Sequence, residues 1–225
     1  MNNLFLTLLL TDSWEDTMGG IVSMLVAISL FYFAYKLYKK NAKMAETQWR
    51  LLAETLRMPL DLHKKGIGWT SGRLPMIKGN IEGFQLECSQ LVKSGGRGQS
   101  VLSWYTLSFD KHIDQEFFMY KKVFLGKLNY SEKAQKFLME DEQLDKNWIF
   151  EANDANFARG LWTKKAKSLL QKTDTYFQKF ELKDNTLRYE VTSLIDFEED
   201  RLKFEKAILL GVLLLKKMQE LHDNN

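Results

Sequence analysis

Residues 18–35, MGGIVSMLVAISLFYFAY, carry no charge, and no lysine or arginine occurs before Lys36. Eighteen residues at 1.5 Å each make about 27 Å of helix, close to the roughly 30 Å hydrocarbon core of a bilayer. Thr17 and the aliphatic stem of Lys36 complete the crossing, because lysine can carry its charge out to the headgroups. Phe31, Tyr32, Phe33, Tyr35 and Tyr38 crowd the C-terminal end, as an interfacial aromatic belt does. Gly19, Gly20 and Ser23 sit near the other end, where small residues allow close helix approach. A buried core helix is the competing reading, but such a helix rarely goes uncharged for so long.

The flanks give the orientation. Asp12, Glu15 and Asp16 lie on the N-terminal side with no basic residue. Lys36, Lys39, Lys40 and Lys43 follow on the C-terminal side. Positive flanks stay in the cytoplasm, so the N-terminus is expected outside and everything beyond residue 39 inside, in a bacterial inner membrane. A secretory signal peptide would need a basic n-region and a small-x-small cleavage site after the apolar run, and both are missing. Residues 4–10 are too few to span, and an interfacial position beside Trp14 suits them better than a free tip.

Averages over the 225 residues hide this asymmetry: 45% hydrophobic, 27% charged and a net charge of +3 would describe an ordinary globular chain. They exclude a disulfide scaffold, a collagen, a disordered tail and a strongly basic nucleic-acid binder. Beyond residue 40 the charges are mixed, 29 basic against 26 acidic, over enough chain for one real core. Cys88 is the lone cysteine, in keeping with a cytoplasmic setting, and reads as a small apolar strand residue.

A stalk helix is expected over 41–57, with Ala45, Trp49, Leu52 and Leu56 forming a heptad-like seam for a partner or for the protein's own domain. Pro59 stops it and pushes Met58 out of the helical region. Eight glycines between Gly66 and Gly98 then mark strands and turns. Phe84, Leu86, Cys88 and Gln90 alternate with polar residues, and a second alternating run covers 101–109. SGGRG between them supplies a hairpin turn with Arg97 at its tip. With 67–70 and 75–79, the pattern predicts a four-stranded antiparallel meander.

Further on, 116–125 and 147–153 read as strands, 130–142 as a short helix and loop, and 155–172 as one helix capped by Asn153 or Asp154. FQKFELK and TLRYEV form a second hairpin about Lys183, Asp184 and Asn185. Asp196 opens a last helix whose segment AILLGVLLL is too short to cross a bilayer and is expected to be the most buried in the domain. Strands and helices are segregated along the chain, which predicts an α+β fold: one transmembrane helix running into a stalk, then an antiparallel meander or sheet packed with two to three helices.

Reactive constellations are scarce. His63, His112 and His222 are far apart, with no carboxylate or cysteine at metal-ligand spacing. Cys88 lacks a partner signature for nucleophilic catalysis. SGGRG lacks the GK-Ser/Thr and the following helix of a P-loop. The acidic runs 140–142 and 198–200 read as a solvated loop and a helix N-terminus. His63, Lys64 and Lys65 could touch anionic headgroups, but Lys36 to Lys43 are better placed for that. Trp104, Trp148 and Trp162 belong to the folded part, and any left exposed would mark a binding surface.

The segment PMIKGNIEGFQLEC, with Gly79 and Gly83 in the arrangement G-x3-G-φ-x-φ, followed by a strand ending YTLSFD, resembles uncharacterised bacterial membrane-anchored α+β proteins of unknown function. WIFEANDANFARGLWTKKAKSLLQ and FQKFELKDNTLRYEV are similar to a second block of those proteins, so the likeness spans about residues 65–195. It implies fold and cellular setting and carries over no catalytic residue.

The resulting expectation is a short extracytoplasmic N-terminus (1–17), a transmembrane helix (18–38), a stalk (39–58) and a cytoplasmic α+β domain (59–225). The domain is expected to be a non-catalytic protein-interaction module, without cofactor, metal or nucleic acid. Its expected partners are membrane lipid through the span and another membrane-complex protein or a second copy, with Arg97 and Trp49 as candidate contacts. A tethered enzyme would instead show a polar cleft with strongly perturbed acid–base groups. A lipid- or ligand-sensing module would show an apolar pocket open to solvent.

Overall fold

The computed structural model describes residues 3–64, 73–95, 98–110, 114–122, 134–173 and 178–223. The expected strand over 67–70 and Arg97 lie outside the described residues. The chain forms two compact units, residues 1–44 and Ala45–Asn225.

The first unit is helical. Helix α1 (Asn3–Leu56) includes the whole uncharged run, and residues 4–10 lie within it. Among the described residues it is the one helix long and apolar enough to cross a membrane, and none of its most apolar window is buried. Ile21, Met24, Leu25, Ile28 and Phe31 all face outward. Such a side-chain row has no protein core to enter and suits an apolar surrounding.

The last turns of α1 belong to the second unit. Trp49 and Leu52 are fully buried there, with Ala53 beside them. Helix α1 ends at Leu56 in a Schellman arrangement: Met58 N–H donates to Ala53 O at 2.9 Å and Arg57 N–H to Glu54 O at 3.0 Å. Arg57 takes the left-handed φ of 54° that this closure needs. Pro59 follows, and the chain turns into strand.

Nine antiparallel strands form one sheet among the described residues: β1 (Leu60–Lys64), β2 (Arg73–Ile81), β3 (Phe84–Gly95), β4 (Gly98–Ser108), β5 (Phe117–Lys121), β6 (Gln135–Phe137), β7 (Trp148–Ala152), β8 (Gln178–Lys183) and β9 (Thr186–Val191). Their order is β1-β2-β3-β4-β9-β8-β5-β7-β6. The meander and the second hairpin are thus one sheet, joined where β4 pairs with β9. Two tight turns fix the register. Glu82 and Gly83 have φ of 52° and 93°, Asp184 and Asn185 of 48° and 60°, the paired positive values of hairpin turns that match strand twist.

Alternation then sorts the faces. The register aligns Cys88, Tyr105, Tyr189, Phe180, Met119 and Phe150 along one row, and all are buried. Helix α5 (Glu198–Asp223) packs on this face. Seven of the nine residues of AILLGVLLL are buried, with Leu209 exposed and Leu213 half-buried; each fully buried aliphatic side chain contributes about 1.5–3 kcal/mol. The Tyr105 hydroxyl meets the helix beside Gly211 and donates to Ala207 O at 2.5 Å.

Two expectations are corrected. The helix over 155–172 divides into α3 (Ala155–Gly160) and α4 (Lys164–Lys172). Asp154 caps the first through the N–H groups of Asn156 and Phe157, while Thr163 accepts from Ala166 N–H and starts a second helix instead of continuing the first. The described part of 130–142 is mostly extended, holding β6, and α2 (Glu142–Asn147) begins only at its end. The α+β class stands, with the helices gathered on one face of an antiparallel sheet.

Candidate interaction surface

Of the residues singled out for contact, Lys36, Lys39, Lys40 and Lys43 are exposed on α1. Trp49 is not available to a partner. It is fully buried, its ring lies 5.9 Å from that of Phe204, and with the Gln90 amide turned to the orientation that satisfies both its ends, its indole N–H donates to the Gln90 side-chain oxygen at 3.1 Å. The same oxygen accepts from Ile195 N–H at 3.2 Å. The heptad-like seam therefore docks on the protein's own domain, and the partner contact offered for Trp49 is replaced by an intramolecular one. Trp148 and Trp162 are buried too. Trp104 alone of the three keeps part of its surface outside.

Trp104 stands on the sheet face opposite α5. Each strand contributes alternate residues there: Lys78 from β2 pairs across to Glu87, then Thr106, Arg188 and Glu181 in one row. The neighbouring row runs Ser89, Trp104, Glu190 and Lys179. No helix packs on this part of the sheet among the described residues. Its charges are internally matched: Lys78 to Glu87 at 3.2 Å, Lys179 to Glu181 at 2.8 Å and Arg188 to Glu190 at 2.7 Å.

Arg188 is the centre of the arrangement. Its guanidinium lies 5.4 Å from the centre of the Trp104 ring, and its Nε is held by Glu190 Oε1. Stacking and the hydrogen bond together fix the plane of the group. Its side chain is 41% exposed, and its two Nη groups have no partner among the described residues. A fixed planar fork of donors suits bidentate capture of a carboxylate or phosphate. The Thr106 side chain flanks it across the strand pair, and the Ser108 and Thr186 hydroxyls meet at 3.3 Å in the next row.

Toward β5 and β7 the same face is closed. Phe118, Tyr120 and Glu151 are buried, and Tyr120 OH donates to Glu151 Oε1 at 2.8 Å. Burial, reinforced by that bond, pushes the Tyr120 phenol well above its usual range, so it stays a donor. On the helix side, a shallow cleft of about 290 Å³ lies between α2 and α4, walled by Gln143, Lys146, Asn147, Gln171 and the edges of Leu144, Trp148 and Leu170. No carboxylate, histidine or cysteine lines it. Lys146 is the ionisable group of its lining, with no carboxylate or imidazole beside it there, and the cleft lacks the apolar enclosure of a lipid pocket.

Metal and thiol chemistry find no purchase among the described residues. No group of three histidine, cysteine or acidic side chains converges there. Burial pushes the Cys88 thiol far above its ordinary range, the opposite of an activated nucleophile. His222 is exposed at the end of α5, while His112 lies outside the described residues. Arg188 and Glu190 were not singled out by sequence: their alternation is visible, but the Trp104 partner is 84 positions away and is brought to them only by the β4–β9 pairing.

The chain matches no protein-family model and no curated protein sequence. Among solved structures it is similar to the crystal structure of the mycobacterial trehalose monomycolate transport factor A, TtfA, with a TM-score of 0.51 and 9% identity over 77% of this chain and 94% of that one. At that identity the likeness is one of fold alone.

Proposed function

We propose that the protein is a single-pass membrane anchor whose α+β domain acts as a non-catalytic docking module on the cytoplasmic side of a bacterial inner membrane. The single observation that carries the docking reading is the helix-free sheet face bearing Trp104, Arg188 and Glu190. Tryptophan and arginine are the residue types that most often dominate binding energy, and here one immobilises the other before any partner arrives. The matched charges around them add selectivity without a net field, because a misaligned partner leaves one of them unpaired. The anchoring reading rests on the exposed apolar row of α1 and on Lys36, Lys39, Lys40 and Lys43 at one end of it. Likeness of fold to a protein described as a transport factor supports an accessory place in a membrane complex rather than a free-standing enzyme.

The test is in-cell photo-crosslinking of the full chain from Thr106, with Ser168 on α4 as a control site. A discrete adduct from residue 106 that disappears with Arg188→Ala supports the docking face. Adducts from residue 168 with none from residue 106 would move the interface to the helix layer and end this reading.

A further inference from the structure

We infer that the sheet face around Arg188 receives an acidic side chain from an extended protein segment whose apolar side chains rest on Leu91 and Met76. This rests on the reading of that face as the docking surface and names the chemistry of what docks there. The ion pairs of the face are balanced but not level. The Lys78 side chain is 61% exposed against 37% for Glu87, and Arg188 41% against 16% for Glu190. Lys183, opposite Thr186 on the same face, is 38% exposed against 15% for Glu116. In the Lys179–Glu181 pair both side chains are largely covered. Balanced pairs cancel at a distance, but a docking segment touches the outer member first, and in the first three pairs that member is the cation. The face is therefore complementary to an acidic partner at contact range.

Arg188 sets the geometry. Its Nε is taken by Glu190 and its plane is held over Trp104. The edge of the fork between the two Nη groups is left to donate to both oxygens of one carboxylate. A phosphate carries a charge of about −1.5 to −2 and would stand beside Glu190 and, across the β8–β9 pair, Glu181, which repel it. A chain terminus is held where backbone N–H groups converge, whereas the backbone of β9 is committed to the ladders with β4 and β8. The acid is accordingly a side chain. Leu91, exposed, and Met76, half-buried, stand on the same face two and three strands from Arg188. Strand spacing and rise put both about 16 Å from the Arg188 backbone. The guanidinium leans over Trp104 and shortens that reach, so an extended segment meets both ends with its acid and an apolar side chain four residues apart, on one side of the segment.

The full chain in phosphatidylcholine nanodiscs provides the test, offered a displayed library of random linear nonapeptides and counter-selected on Arg188→Gln protein. The peptides retained are expected to carry aspartate or glutamate with leucine, isoleucine or phenylalanine four positions away. They are then synthesised with amidated C-termini, which removes the terminal carboxylate. Changing the acid of the peptide to its amide should cost about tenfold in affinity, Arg188→Gln about tenfold, and both together little more than either. The amide peptide tests the contact without touching the fold of the protein. Arg188→Lys should restore little, because an ammonium lacks the fork, and Leu91→Ser should weaken the same peptides. No enrichment, an enriched set without acids, or losses that simply multiply overturns the inference. Tighter binding of a phosphoserine peptide would assign the face to a phosphorylated segment instead, and binding that needs a free C-terminus would assign it to a chain end. Photo-crosslinking from residue 106 in cells separates the failures. An adduct there without acid preference leaves the docking face standing and removes its acidic occupant, whereas adducts from residue 168 with none from 106 remove the docking reading itself.

Discussion

Replacing Gly211 by alanine sets two opposed effects against each other in the middle of α5. Helix propensity alone favours alanine by about 1 kcal/mol. The added methyl would sit 2.6 Å from the Tyr105 hydroxyl, 2.9 Å from Leu107 Cδ1 and 3.1 Å from Leu187 Cδ2. None of the three neighbours can withdraw cheaply, since Tyr105 and Leu107 are fully buried and Leu187 nearly so. Overpacking of this kind costs about 1–3 kcal/mol. If Tyr105 moves, its hydroxyl also leaves Ala207 O, and an unsatisfied buried group costs about 1–3 kcal/mol more. The balance is destabilisation by about 2 kcal/mol, or about 4–8 °C in melting temperature for a domain of this size. Near-ultraviolet circular dichroism of the full chain in detergent, followed through a thermal melt, reads it. Tyr105→Phe removes the oxygen of the closest contact, so Gly211→Ala should cost about 1 kcal/mol less in that background. A melting temperature at or above wild type for the single variant would show that propensity wins and that the described approach of Tyr105 to α5 is wrong.

Three further outcomes are expected. Arg57→Gly relieves the left-handed φ at the end of α1 and should raise the melting temperature by about 1–4 °C, for a gain of about 0.5–1 kcal/mol after the glycine's own entropy is counted; a fall would refute the Schellman closure. The Lys167 ammonium, hydrogen-bonded to Asp141 at 2.6 Å, holds that carboxyl below its usual range with help from Leu144 N–H. A lowered folded value means stability that is present above the unfolded value near about 3.9 and lost as the pH falls through the folded one. Wild type should therefore outlast Lys167→Met in melts at pH 7 and converge with it near pH 2, and a pH-independent gap would refute the pairing. Tyr120→Phe withdraws the hydroxyl from the buried Glu151 carboxylate and should cost about 1.5–3 kcal/mol in denaturant unfolding; a change under about 0.5 kcal/mol would mean that Glu151 is satisfied without it.

How far the sequence could be read depended on whether a pattern had one physical cause or two. The length of the uncharged run 18–35 singles out a helix and the period of the alternation through Phe84 and Leu86 a strand, and both elements formed there. AILLGVLLL was legible as buried because a nine-residue apolar run bounded by lysines cannot span a bilayer. The break between α3 and α4 left a faint trace in the sequence: Phe157 to Leu161 and Ala166 to Leu170 are spaced by four, but Leu161 to Ala166 by five, a slip that a single helix over 155–172 passes over. The capping bond from Ala166 N–H to Thr163 Oγ1 at 3.2 Å shows that the period restarts there. Strand β6 was hidden for the opposite reason: three residues hold no period, and its conformation is set by pairing Phe137 with Phe150 of β7.

Trp49 shows the same limit where it matters for function. A seam of Ala45, Trp49, Leu52 and Leu56 states that one side of the helix is apolar, and that statement is equally true of a helix that dimerises and of one that docks at home. What distinguishes them is polar: an indole N–H buried at a partner interface needs an acceptor from the partner. Here the acceptor is the Gln90 side chain of β3, itself buried and shared with Ile195 N–H. Replacing Trp49 by phenylalanine would then leave that amide oxygen one donor short inside the domain, a cost of about 1–3 kcal/mol to folding, and would leave any intermolecular contact through Trp104 and Arg188 intact. The chain thus commits its most conspicuous stalk aromatic to stability, and on the proposed docking reading recognition falls instead to Trp104, whose neighbours Arg188 and Glu190 only the sheet register reveals.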